Sequence, residues 1–222
     1  MKKVLLSFAL MSMCLPGLGL AQQSTCWDCT LGIFDSDALT ANYGTWDTGT
    51  SPTKKFYLGI TYDPTSGYDG LSGVEFSIQG LPSAFSPSTV VLDGGFIIPA
   101  QPDSILAPPD TTAVGAQGGV NVTWTQCLTG NRALVEITAV NLDPIPNNTV
   151  IRVLRKFPPL SPEVPQVLFV ACDFPIQTKV ASRGGCYVLN PTVNPGETID
   201  GCTLLGNPVS RSTWSTVKAL YR

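Results

Sequence analysis

The chain has 222 residues with 13 basic and 16 acidic side chains, and this mildly acidic balance excludes the concentrated basic face that a nucleic-acid binder needs. Its 21 glycines, 19 prolines and few charges, set between strongly apolar stretches, exclude a disordered tail and fit a turn-rich extracellular β protein. Histidine is absent, which excludes Ser-His-Asp and Cys-His catalysis, histidine metal triads and histidine acid–base work.

The N-terminus reads as an export signal over residues 1–21. A positive "MKK" precedes the apolar run "VLLSFALMSMCL", which is too short for a stable membrane span, and "PGLGLA" follows. Gly19 and Ala21 are the small residues that a signal peptidase reads, so cleavage is expected after Ala21. Cys14 follows Met13, where a lipobox has Gly or Ala, which argues against lipidation. No later run is long and apolar enough to cross a bilayer. A single β-sandwich domain is expected over 22–210 and a helical tail over 211–222.

The expected mature chain opens on "STCWDC", followed by the strand candidate "LGIFD". "KFYLGITY" comes next, and then "GVEFSIQ", in which Val74, Phe76 and Ile78 share one face while Glu75, Ser77 and Gln79 share the other. That period of two marks a half-buried strand. "STVVL" leads to "GVNVTWTQ", with Val120, Val122 and Trp124 set against Asn121, Thr123 and Thr125. "NRALVEITAV", "TVIRVL", "QVLFVAC", "TKVA" and "CYVL" complete the series, "QVLFVAC" being apolar on both faces as a central strand is. About nine or ten strands at such spacing predict an all-β fold: an antiparallel β-sandwich of the jelly-roll or cohesin/immunoglobulin-like kind.

Turns carry their own chemistry in "YDPTSGYDG" and "LDPIPNN". The stretch from Pro99 to Gly118 lacks the aromatic and amide residues of a recognition loop and is expected to be mobile. "FPPLSPEVP" is expected to be extended and stiff. The pair Lys54 and Lys55, and the group Arg152, Arg155 and Lys156, read as solvated strand edges. At the end, "STWSTVKALYR" predicts a short helix capped by Ser212 or Thr213, with Trp214, Val217 and Tyr221 on one face.

Loss of Cys14 with the signal leaves Cys26, Cys29, Cys127, Cys172, Cys186 and Cys202, an even set that reads as disulfides in an exported protein. Cys186 and Cys202 bracket one loop whose closure contributes on the order of 3 kcal/mol in the chain-entropy model. Cys127 and Cys172 both end predicted strands and are a natural second pair, which would leave Cys26 with Cys29; six cysteines allow fifteen connectivities, and whether those two pair with each other or with a distant cysteine stays open. A thioredoxin-type centre is disfavoured, because "CWDC" precedes a strand rather than a helix and Asp28 raises the thiol pKa. Zinc would need further thiolates kept reduced outside the cell.

Chemistry without histidine leaves a carboxylate pair, a Ser-Lys dyad, or calcium on oxygen ligands. Glu75 and Glu136 are the candidate carboxylates for glycosidic hydrolysis, although single glutamates on solvated strand faces are ordinary. Asp63, Asp69 and Asp143 lie in turns where calcium is possible, but the alternating ligands of an EF-hand loop are missing, so no cofactor is expected. Trp27, Tyr43, Trp46, Tyr57, Tyr62 and Tyr68 crowd the N-terminal third; Trp46 and Tyr68 are the candidate ligand-facing aromatics, with core packing the competing account. Asn121 in "NVT" and Asn147 in "NNT" match the N-glycosylation pattern and read as chance matches.

"LGIFDS", "LSGVEFSIQGLP", "VACDFP" and the closing "STWSTVKALYR" together resemble a group of uncharacterised exported proteins of environmental bacteria, which end in a similar Trp-x-x-Val/Ile-Lys-x-Leu/Met-Tyr/Phe-Arg tail. That resemblance implies an exported β-sandwich and supplies no activity. "GVEFSIQGLP" is also similar to the strand-and-turn rhythm of cohesin-like sandwiches, an analogy of fold alone. The expectation is a non-catalytic binding or structural protein, secreted, periplasmic or at the cell surface, with a protein or glycan partner. The alternatives are a carbohydrate-binding module and a histidine-free hydrolase.

Overall fold

A computed structural model describes residues 24–62, 65–98, 105–106, 118–157, 166–172 and 179–205. The signal-like segment and the tail with Trp214, Val217 and Tyr221 lie outside the described residues. Among those described there are fourteen strands and no helix. In chain order they are β1 (Ser24–Phe34), β2 (Tyr43–Gly44), β3 (Thr53–Thr61), β4 (Gly70–Gln79), β5 (Ser88–Val91), β6 (Phe96–Ile98) and β7 (Val120–Thr129). There follow β8 (Arg132–Val140), β9 (Thr149–Leu154), β10 (Val167–Ala171), β11 (Lys179–Gly184), β12 (Cys186–Leu189), β13 (Thr198–Ile199) and β14 (Cys202–Thr203).

Hydrogen bonding runs through β6-β7-β4-β10-β11-β1-β3-β8-β5, and a second ladder, β2-β12-β9-β4, shares β4 with the first. The fold is a β-sandwich with one core. Phe56 of β3 meets Tyr187 of β12 edge-on, with ring centroids 5.3 Å apart, although these two strands share no hydrogen bonds. Val74, Phe76 and Ile78 of β4 point into that core with Val120, Val122 and Trp124 of β7, so the period of two in the sequence marks the inward face.

Most pairings are antiparallel, but the sheet is mixed: β1 runs parallel to β11, and β2 parallel to β12. These partners lie far apart in the sequence, so no local crossover helix is needed between them.

β4 departs from the half-solvated strand expected of it. It sits between β7 and β10, and its second face is covered too: Glu75 and Ser77 are buried. The cover follows from how β9 and β10 are arranged. Both pair antiparallel with β4, β10 along Leu71–Glu75 and β9 along Ser77–Gln79, so they lie end to end. The chain leaving β9 therefore cannot continue along β4. It runs over the outer face instead, where Ser77 Oγ donates to the Arg155 carbonyl (2.8 Å) and Phe157 bridges to Gly118. Lys156 is buried on this path and is not the solvated edge residue its sequence neighbours suggested.

The stretch from Pro99 to Gly118 is anchored where it is described. The Ile105 carbonyl accepts from the Ile78 amide (2.7 Å), and the Ile105 side chain is buried, so these residues extend the β4 edge beyond β7.

Candidate functional site

Alternation along β4, β7 and β10 assigns every second residue to the outer face. Register brings those residues together: Glu75 lies opposite Asn121 on β7 and opposite Leu168 on β10. With Ile98 of β6, Val170 of β10 and Lys179 of β11 they line a cavity of ≈ 200 Å³. Gly73, at the level of Val170 and Thr123, adds no side chain to its floor.

Asn121 is the unusual member. It is 4% exposed, and neither its Oδ1 nor its Nδ2 has a hydrogen-bond partner. Buried polar groups are nearly always satisfied, so an amide left open at both ends in a hollow calls for an explanation. Its neighbours are occupied: Thr123 Oγ1 donates to the Ser72 carbonyl (3.0 Å), and Glu75 and Lys179 have interactions of their own. Asn121 thus lines the cavity with both of its amide atoms buried and unpartnered, beside the apolar side chains of Ile98, Leu168 and Val170. Burial on a central strand also leaves the "NVT" match no accessible acceptor amide.

The candidate carboxylates do not meet. Between Glu75 on β4 and Glu136 on β8 stand β10, β11, β1 and β3. Glu136 is tied to surface neighbours, with Lys55 Nζ at 2.6 Å and the Tyr57 hydroxyl donating at 3.2 Å. The Lys55 hydrogen bond holds the Glu136 carboxyl below its ordinary range, against a weaker opposing effect of burial. A pair acting on one glycosidic bond must sit within about 10 Å, so these two form no such site.

Nor do the candidate calcium ligands converge. Asp69 lies beside the loop that opens β8, since its carbonyl accepts from Gly130, whereas Asp143 follows the other end of that strand. Asp63 is outside the described residues, and among the described ones no group of three or more His, Cys, Asp or Glu side chains gathers.

The aromatic residues are spread over separate elements. Trp46 is 3% exposed, stands edge-on to Phe56 at 5.9 Å and donates its indole N–H to the Ser51 carbonyl (3.0 Å). A sugar-stacking platform needs an open ring face, so Trp46 is corrected from ligand-facing to core. Tyr68 is half-buried against the edge of Phe169, at 5.9 Å. Trp46 does border a loop-end hollow of ≈ 630 Å³, but that hollow is knitted by its own bonds. Asn190 Oδ1 accepts from the Trp46 amide (2.8 Å), and Asn148 Oδ1 accepts from the Thr192 amide (2.9 Å).

The six cysteines among the described residues form three disulfides, one of the fifteen pairings the sequence allows. Cys127 joins Cys172, Cys186 joins Cys202, and Cys26 joins Cys29. The last bond closes a bulge: Cys26 is opposite Ser182 and Thr30 opposite Arg183, so three residues of β1 lie where β11 has none. Its thiols are engaged and buried, and "CWDC" works as a clamp.

Sequence reasoning passed over Asn121 because it looked like any polar residue on a solvated face. The available signal was the "LSGVEFSIQG" strand beside it, too rich in small and apolar residues for a strand with one wet face. No family model matches this chain, and no curated protein does. Among solved structures, the chain is similar to the seventh ScaB type I cohesin from Pseudobacteroides cellulosolvens, with a TM-score of 0.35 and 7% identity over 78% of this chain and 98% of that one.

Proposed function

We propose that this protein is an exported, non-catalytic β-sandwich that binds a ligand through the outer face of β4 and β7. The observation that carries the reading is the Asn121 amide, buried and without hydrogen-bond partners in the wall of the cavity that Glu75 also lines. A buried amide left without partners costs free energy, and a ligand that completes its hydrogen bonds recovers that cost on binding. Supporting the non-catalytic half are the lack of histidine and the four strands between Glu75 and Glu136. Supporting export are three disulfides, which persist in oxidising compartments, and the signal-like start of the chain. Among the described residues no helix is long and apolar enough to cross a membrane.

Arrays of immobilised glycans and of peptides, probed with the purified mature protein, test this reading. Saturable binding that disappears in Asn121→Leu, with the fold intact by near-UV circular dichroism, is expected. Turnover of a polysaccharide or peptide substrate, abolished by Glu75→Gln or Glu136→Gln, would replace it with the hydrolase reading.

A further inference from the structure

β9 and β10 meet end to end between two longer stretches of chain. β4 flanks both on one side; on the other, β11 pairs with β10 along residues 179–182 and β12 pairs with β9 along residues 186–189. The break between the two strand ends opens into a cavity of ≈ 630 Å³, a size that holds a small ligand. Val153, Phe157 and Val167 give it apolar walls, and two cations line it, Arg155 and Arg183.

Neither guanidinium is answered. Among the described residues no carboxylate pairs with Arg155 or Arg183, and no acidic side chain lines the cavity. Arg152, three residues before Arg155, differs, because Asp200 Oδ2 holds its Nη2 at 2.6 Å. Arg155 is half-buried: its Nε is buried without a hydrogen-bond partner, while its terminal nitrogens, also without partners among the described residues, keep accessible surface. Arg183 is exposed on its strand. Two cations lining one cavity repel each other unless an anion joins them.

We infer that this cavity takes a small amphipathic anion, an oxyanion head (carboxylate or phosphate) on an apolar body. A guanidinium fork meets either head with two parallel hydrogen bonds, and Val153, Phe157 and Val167 receive the body. A neutral sugar would leave both charges unanswered, and an inorganic ion would leave the apolar walls wet. The site goes beyond the binding face proposed above. It shares no lining residue with the Asn121 cavity, so either can fail while the other stands.

The test is a titration of the mature protein, at fixed ionic strength, with 3-phenylpropionate and with phenyl phosphate, read by amide chemical shifts and by Tm. 3-Phenylpropionamide keeps the body without the charge, and acetate keeps the charge without the body. Expected with at least one of the two anions are saturable shifts centred on Val153, Arg183 and Gly184 and a dose-dependent rise in Tm, as a ligand selective for the native state produces. The tighter of the two identifies the head group, and the controls should give little response.

Arg183→Gln removes one fork from an exposed position and should weaken binding at least about tenfold, its charge-assisted hydrogen bonds being lost. Arg155→Met keeps an apolar stem in place and should do the same. If Arg155→Met fails to fold, Arg183→Gln decides alone. No response to either anion, equal binding of the amide or of acetate, shifts centred elsewhere, or binding unchanged in Arg183→Gln would each overturn the assignment.

Discussion

Burying a primary amide with neither end bonded costs about 1–3 kcal/mol, and an apolar side chain of similar size avoids that cost. Asn121 is such an amide, flanked by the inward-facing Val120 and Val122. Asn121→Leu is therefore expected to raise stability by about 1–3 kcal/mol, measured as a higher urea midpoint with an unchanged m-value. A drop instead would mean that the amide is hydrogen-bonded in the ligand-free protein. Tyr187 shows the opposite economy: its hydroxyl donates to Asp35 Oδ1 (2.6 Å), the same atom that holds Lys54 Nζ at 2.7 Å. Gly44 is what admits this contact, because a Cβ there would collide with both the Tyr187 hydroxyl and the Asp35 carboxylate. The contrast between these residues was not legible in the sequence. Alternation names the face a residue points to, but not what chain later passes over that face.

Elements were more legible than their surroundings. "CYVL", "TVIRVL" and "QVLFVAC" became β12, β9 and β10, because short runs rich in β-branched residues between turn signals have few other ways to bury their apolar surface. Strand ends and loop lengths favoured this cysteine pairing without fixing it among the fifteen that six thiols allow, and the three bonds differ in what they restrain. Cys127–Cys172 closes 45 residues and fastens β7 to the end of β10; Cys186–Cys202 closes 16, and Cys26–Cys29 only 3. Chain entropy then ranks their contributions at about 4, 3 and 1.6 kcal/mol respectively. Replacing each pair with alanine should reproduce that order in urea denaturation. A Cys26→Ala/Cys29→Ala variant as damaged as Cys127→Ala/Cys172→Ala would show that the β1 bulge needs its clamp for more than loop entropy. The illegible part was the end-to-end placement of β9 and β10, since pairing across more than 70 residues leaves no local pattern.

At the scale of the whole molecule, aromatic contacts carry buried hydroxyls into the core, and one of them, Phe56 on Tyr187, joins the two ladders. Phe56 meets Tyr187, and Phe169 meets Tyr62 at 5.8 Å. Burial pushes both phenols far above their ordinary range, with Asp35 adding to the effect at Tyr187 and Asp69 at Tyr62. The sign of the linkage follows. Below about pH 10 both states keep these protons and stability is independent of them. Above that value the unfolded chain ionises its tyrosines while the native one does not, so the unfolded state binds fewer protons and stability falls as pH rises. Two such groups give a slope approaching 2.7 kcal/mol per pH unit, an estimate of about 1.36 kcal/mol for each. Urea midpoints measured from neutral pH to about pH 11 should bend downward near pH 10, and Tyr187→Phe should halve the steepness of that limb. Absorbance at the tyrosinate band gives an independent check: of the six tyrosines, Tyr62 and Tyr187 should ionise only as the protein unfolds. If all six titrated together in the folded protein, the two buried phenols would be open to hydroxide, and the sandwich would be looser at its aromatic seam than the packing of Phe56 on Tyr187 requires.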